Sequence, residues 1–172
     1  MKRLPCPETV KTCKFIELDD ARPEDTVRSV DLVKKTFPHM VVPFSFWDAK
    51  LKNDKTVIIK ENGTDIIGVA NVSVAKNDAS LDLIAVDRPW QGKGIGSALL
   101  QEVESIAAMH GKKMMRLMTE RDKINNIAFY SKHGYRVTGY EERGYSHCPG
   151  IHFEKRIRSY SGERTLSDLS SG

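Results

Sequence analysis

The sequence predicts a single mixed α/β domain, and three observations carry that reading. Short apolar stretches separated by tight turns fill the first half as an antiparallel meander. One strongly amphipathic segment, 94–110, has the period of a helix. After Val86 the pattern alternates strand, helix, strand, helix, strand, and a helical crossover returns the chain in the same direction, so the fourth and fifth strands must pair in parallel.

The elements follow in order. Thr12 to Leu18 mixes apolar and polar residues and reads as a strand. Arg22-Pro23-Glu24-Asp25 starts a helix, with proline in the first turn and acids at the positive end of the dipole. Val27, Val30, Val33 and Phe37 keep helical spacing until Pro38 stops it. A short helix is expected over Phe46 to Lys52. Thr56 to Lys60 is β-branched, and Asn62-Gly63 turns it into a returning strand, Ile66 to Val74. Asn77-Asp78-Ala79 turns again into Leu81 to Val86. In the segment from Gly94 to His110, Ile95, Leu99, Val103 and Ile106 form one stripe, and Gly111 stands where a helix C-terminal glycine belongs. Met114 to Met118 reads as a strand, Ile124 to His133 as a helix ended by Gly134, and Tyr135 to Tyr140 and Ile151 to Ile157 as the last strands. Residues 1–158 make the domain; 159–172, rich in serine and glycine, read as a flexible tail.

Composition narrows the function classes. The 172 residues are 40% hydrophobic and 29% charged, with a formal net charge of +4. Mean hydropathy is −0.43 and the longest uncharged apolar runs fall far short of a membrane span. The first residues lack a signal sequence's apolar stretch and cleavage site, and the three cysteines (Cys6, Cys13, Cys148) fit neither a disulfide framework nor a metal spacing. A cytoplasmic protein with reduced thiols and no membrane partner is expected. Lys and Arg are scattered and do not cluster with aromatics, so the basic balance points to an anionic ligand and not to nucleic acid. His147 and Cys148 are adjacent but lack a third partner, which argues against a zinc site or a cysteine nucleophile, and no metal is expected.

The most informative stretch is Val86-Asp87-Arg88-Pro89-Trp90-Gln91-Gly92-Lys93-Gly94-Ile95-Gly96-Ser97. It joins a strand to the N-terminus of the strongest helix. Three alternate glycines let main-chain N–H groups approach a ligand, and the unsatisfied N–H groups and dipole of the helix end favour a phosphate. The spacing is neither the Rossmann fingerprint nor the Walker pattern.

Gln91-Gly92-Lys93-Gly94-Ile95-Gly96 resembles the Gln/Arg-x-x-Gly-x-Gly/Ala signature of the GNAT superfamily of acetyl-CoA-dependent N-acetyltransferases. A second block of that family, Asn-x-x-Phe-Tyr-x-Lys-x-Gly-Phe/Tyr, is matched by Asn126-Ile127-Ala128-Phe129-Tyr130-Ser131-Lys132-His133-Gly134-Tyr135, about 30 residues on. The close likeness covers Leu81 to Tyr140. It implies a GNAT-like fold, a central, mostly antiparallel sheet whose parallel fourth and fifth strands splay apart, flanked by helices.

The resemblance also implies a chemistry. Acetyl-CoA is the expected co-substrate, its arm lying in the wedge against the main chain of Ile84, Ala85 and Val86. Its pyrophosphate would rest on Gln91, Gly92, Lys93, Gly94, Ile95, Gly96 and Ser97, and Asn126 would hydrogen-bond the arm. Tyr130 occupies the position of the acid that protonates the departing thiolate. The family places an acid on the fourth strand as base. Asp82 is the only carboxylate within Leu81–Val86, and by simple alternation it shares a face with Ile84 and Val86. Glu120 or a water chain could take its place. The acceptor site would be built from Phe44-Ser45-Phe46-Trp47 and Arg143-Gly144-Tyr145-Ser146-His147-Cys148. A primary amine on a small molecule is the favoured acceptor. A protein lysine or N-terminal amine, or a non-catalytic acetyl-CoA-binding module, are the alternatives. A monomer and a homodimer fit equally.

Overall fold

The computed structural model describes residues 14–17, 23–38, 43–142 and 148–158. Both ends of the expected first strand (Thr12, Cys13 and Leu18), Arg22 of the expected helix entry, the loop 143–147 and the tail 159–172 lie outside them. The chain runs β1 (Lys14–Glu17), α1 (Pro23–Thr36), α2 (Phe44–Asn53), β2 (Lys55–Glu61), β3 (Asp65–Val74), β4 (Ala79–Val86), α3 (Ile95–Met109), β5 (Met114–Glu120), α4 (Ile124–Lys132), β6 (Arg136–Glu141) and β7 (Gly150–Arg156). The termini of α1 carry the charges the dipole favours, Glu24 and Asp25 first, Lys34 and Lys35 last. Gly111, with φ of 74°, follows the end of α3.

The described strands form one seven-stranded sheet in the order β1-β2-β3-β4-β5-β7-β6. The first four are an antiparallel meander. β4 and β5 are parallel, as the crossover through α3 requires. β6 does run parallel to β5, but β7 inserts between them and is antiparallel to both.

Two helical layers cover the sheet. On one face α1 and α2 bury Val30, Val33, Trp47 and Leu51 against Ile58, Val69, Leu83 and Ala85. On the other, α3 buries Ile95, Leu99, Val103 and Ile106 against Val57, Ala70, Val72, Leu81 and Leu117, and Tyr130 of α4 joins that cluster.

Two features of β4 open the sheet. Its pairing with β5 stops after three residues, Ala79, Ser80 and Leu81, opposite Met115, Arg116 and Leu117. At that point β4 bulges: Val72 lies opposite Leu81 and Asn71 opposite Leu83, so Asp82 is the extra residue. A bulge bends and twists its strand. It also breaks the face alternation. Ala79 and Leu81 pack on the α3 side, Leu83 and Ala85 on the α1/α2 side, and Ile84 and Val86 against the α3 cluster again.

Candidate active site

The gap between β4 and β5 and the turn before α3 form one continuous region. Beyond Asp82, β4 keeps its ladder with β3 through Val86 opposite Gly68, while among the described residues its other edge has no strand. Alternate residues of 82–86 therefore present main-chain N–H and C=O groups to the gap. A single turn of 3₁₀ helix (Arg88–Trp90) follows, with the Asp87 carboxylate accepting the Arg88 N–H at 2.9 Å and Lys35 Nζ at 2.7 Å.

Gly92 and Gly94 have φ of 75° and 86°, the left-handed region that favours glycine. Gly94 is the N-cap of α3, and its carbonyl accepts the Ala98 N–H at 3.0 Å. The N–H groups of Ile95, Gly96 and Ser97 have no partner within the helix by geometry. The Ile95 side chain is fully buried in the core, so only its main chain can meet a ligand. A Cβ built on Gly96 would lie 3.6 Å from Phe129, in ordinary contact. Lys93 is exposed, its ammonium 4.8 Å above the Trp90 ring. Gln91 Nε2 donates to the Val86 carbonyl at 3.0 Å, so this side chain ties the turn to the end of β4.

Tyr130 lies on the α3 side. Its ring packs edge-on against Phe129 and Tyr135, at 5.2 and 5.8 Å between centroids. Burial pushes its phenol from 10.0 up to about 12. The hydroxyl makes no hydrogen bond among the described residues. Asn126, one turn earlier, donates to Thr119 Oγ1 at 3.2 Å and anchors the start of α4 to β5.

Asp82 does not share the face of Ile84 and Val86, because the bulge turns it toward α2. Its Oδ2 accepts from Ser73 Oγ and lies 3.1 Å from Lys50 Nζ. Lys50 also meets Asp54 at 2.8 Å. Burial pulls the Lys50 pKa down, but hydrogen bonds and charges from Asp54 and Asp82 more than offset it, and the net shift is upward. Two carboxylates thus share one firmly charged ammonium. Oδ1 of Asp82 has no hydrogen bond among the described residues. Glu120 pairs with Lys123 at 3.4 Å at the end of β5. Sequence reasoning missed Lys50, Asp54 and Ser73, which lie 32, 28 and 9 positions from Asp82. Nothing local in the sequence marks the bulge that gathers them.

Of the expected acceptor residues, Phe46 is half exposed and meets the buried Trp47 edge-on at 5.4 Å. The Phe44 side chain and residues 143–147 lie outside the described part.

Comparison with known proteins decides the family. The domain described as "Acetyltransferase (GNAT) domain" matches residues 17–157. The chain belongs to the GNAT acetyltransferase family. Among curated relatives, the uncharacterized protein YdhI of Bacillus subtilis is 37% identical over 83 residues, 48% of this chain and 50% of that protein. The chain spans about half the length of that curated relative. A GNAT acetyltransferase from Elizabethkingia anophelis, solved with acetyl-CoA bound, has a TM-score of 0.72 at 19% identity over 85% of this chain and 99% of its own. The ribosomal-protein-S18-alanine N-acetyltransferase of Escherichia coli has a TM-score of 0.73 at 18% identity, covering 90% and 99%. These two likenesses are of fold. No described helix is long and apolar enough to cross a membrane.

Proposed function

We propose that this GNAT-family chain transfers the acetyl group of acetyl-CoA to a primary amine, most favourably on a small cytoplasmic molecule. One observation carries the reading: a strand with a free edge beyond its bulge leads directly into a turn with two left-handed glycines at the mouth of a helix. The free edge suits the amide-bearing arm of CoA, and the helix N-terminus suits its pyrophosphate. The solved structure with acetyl-CoA bound supports the same co-substrate here.

The two candidate side chains lie on opposite faces of the sheet, as the transfer requires. Asp82 Oδ1, on the α1/α2 side, takes a proton from the incoming ammonium, directly or through one water, leaving a lone pair to attack the thioester carbonyl. Main-chain N–H groups of 82–86 polarise that carbonyl as an oxyanion hole does. The C–N bond forms and the C–S bond breaks, and Tyr130 gives its proton to the departing sulfur on the α3 side. The second proton, which the nitrogen sheds on becoming an amide, passes through water to restore the phenol. Holding both reactants across the gap supplies most of the acceleration and needs no covalent enzyme intermediate. The Asp54–Lys50–Asp82 cluster carries one net negative charge, which suits a single ammonium better than a polycationic tail.

The fold likeness to the ribosomal-protein acetyltransferase favours a second reading, a peptide N-terminus as acceptor. Release of CoA thiol over a panel of small amines, run beside a pool of mixed peptides, separates the two. Turnover on amines alone supports the first reading, turnover on peptides alone the second, and none on either overturns both.

A further inference from the structure

Among the described residues the sheet ends at β6, which pairs there with β7 alone. An edge strand presents a row of unpaired N–H and C=O groups that a further strand can take up. Two of the large exposed hydrophobic residues, Val137 at 60% and Tyr140 at 54%, lie on this six-residue strand. Three positions apart, they would project from opposite faces of a regular strand. A second bulge changes that. Val137 lies opposite Phe153, Gly139 opposite His152 and Tyr140 opposite Ile151, so Thr138 is the extra residue. Phe153 and Ile151 belong to the α3 face, and the bulge therefore sets Val137 and Tyr140 side by side on that face. Arg136 and Glu141, opposite Glu154 and Gly150, fall on the other.

The strand Arg136-Val137-Thr138-Gly139-Tyr140-Glu141 is then complementary to itself. Laid antiparallel on a second copy, about an axis between Thr138 and Gly139, it sets Arg136 against Glu141 and Val137 against Tyr140, each pair on one face and each occurring twice. Among the described residues Glu141 meets His152 at 3.1 Å through Oε2 alone, which leaves Oε1 for the arginine. Opposite charges and an aromatic beside a β-branched residue are favourable cross-strand pairs.

We infer that β6 is the dimerisation strand of this protein, joining two copies edge to edge into one continuous sheet about a two-fold axis. An interface of one short strand is small, so the dimer is weak and forms as concentration rises. The inference is independent of the acceptor and of the catalytic roles given above.

Sedimentation equilibrium of the full chain tests it. The weight-average mass is expected to climb from 19.4 kDa toward twice that with concentration. Arg136→Glu and Glu141→Arg should each weaken the dimer about tenfold or more, and Val137→Lys should abolish it, with circular dichroism reporting that each variant folds. The double exchange, Arg136→Glu with Glu141→Arg, restores both pairs across the axis and should recover the dimer. A monomer at every concentration overturns the inference, as does a dimer indifferent to the single exchanges or not recovered by the double one. A monomer that dimerises only after residues 159–172 are removed would assign the strand to the chain's own C-terminus and also overturn it.

Discussion

Burial sets the working range of Tyr130. An ordinary phenol loses its proton near pH 10, whereas this one holds it to about 12. The proposed acid acts in its protonated form, so its contribution is present below that value and falls only as pH rises through it. The pH profile of kcat, measured with an acceptor whose amine is already neutral, should show no alkaline fall near 10. Tyr130→Phe should lower kcat by about 10²-fold with little change in the acetyl-CoA KM, because the proton is needed as the thiolate leaves. Steady-state kinetics at saturating acceptor checks this, and an equal loss in cofactor affinity would make Tyr130 a binding contact instead. Asp82→Asn keeps the shape and removes the basicity. Activity at neutral pH should fall and recover partly in alkali, where free amine is abundant. The same acceptor must be used in both proteins, since amine ionisation alone gives a rising limb. An unchanged rate and profile would pass the role to Glu120 or water.

At the scale of elements, the turn before α3 and the bulge in β4 do different things. Gly94 sits at φ of 86°, so a side chain there strains the backbone as well as blocking the proposed approach of the pyrophosphate. Gly96 is the cleaner probe. Its Cβ finds ordinary contact with Phe129, and alanine favours a helix over glycine. Gly96→Ala should fold normally yet weaken CoA affinity about tenfold or more, read by calorimetry. Unchanged affinity would remove the pyrophosphate from this turn. Gly68 serves packing instead. A Cβ there would stand 2.9 Å from Leu99 Cδ1 and 3.1 Å from Ile95 Cγ2, both on fully buried side chains, so Gly68→Ala should cost about 1–3 kcal/mol in urea unfolding. The turn was legible because its glycines, its helix and its strand are contiguous in sequence. The bulge was not, because it exists only as a register shift between β3 and β4. That shift is why Asp82 was expected beside Ile84 and Val86 and instead meets Lys50.

For the whole molecule, strand types and helix faces followed from local period, and the parallel β4/β5 pair from the crossover rule. The insertion of β7 between β5 and β6 is set by long-range pairing that no local pattern encodes. Side chains far apart in sequence also tie α3 to β7 and to the start of β6. Glu104 of α3 accepts from Lys155 of β7 at 2.6 Å and from the Tyr135 hydroxyl at 2.9 Å. Burial, with the Glu104 carboxylate beside it, pushes the Tyr135 phenol far upward, so it stays a donor. Removing the shared acceptor leaves a partly buried ammonium and a buried hydroxyl without it. Glu104→Ala should therefore lower stability by about 3 kcal/mol, measured as a shift in the urea midpoint at constant m-value. A loss below about 0.5 kcal/mol would mean the triad is solvent-like in strength.

The parted strands also have a kinetic signature of their own. Amides of β4 that bond to β3 open only when the sheet does, while those between Asp82 and Val86 that face the gap meet water in the native state. Deuterium uptake along this one strand should thus split into slow and fast positions that alternate residue by residue. Saturating CoA should slow the fast set and leave the slow set nearly unchanged, so the ligand would register in solution as the neighbouring strand that β4 lacks.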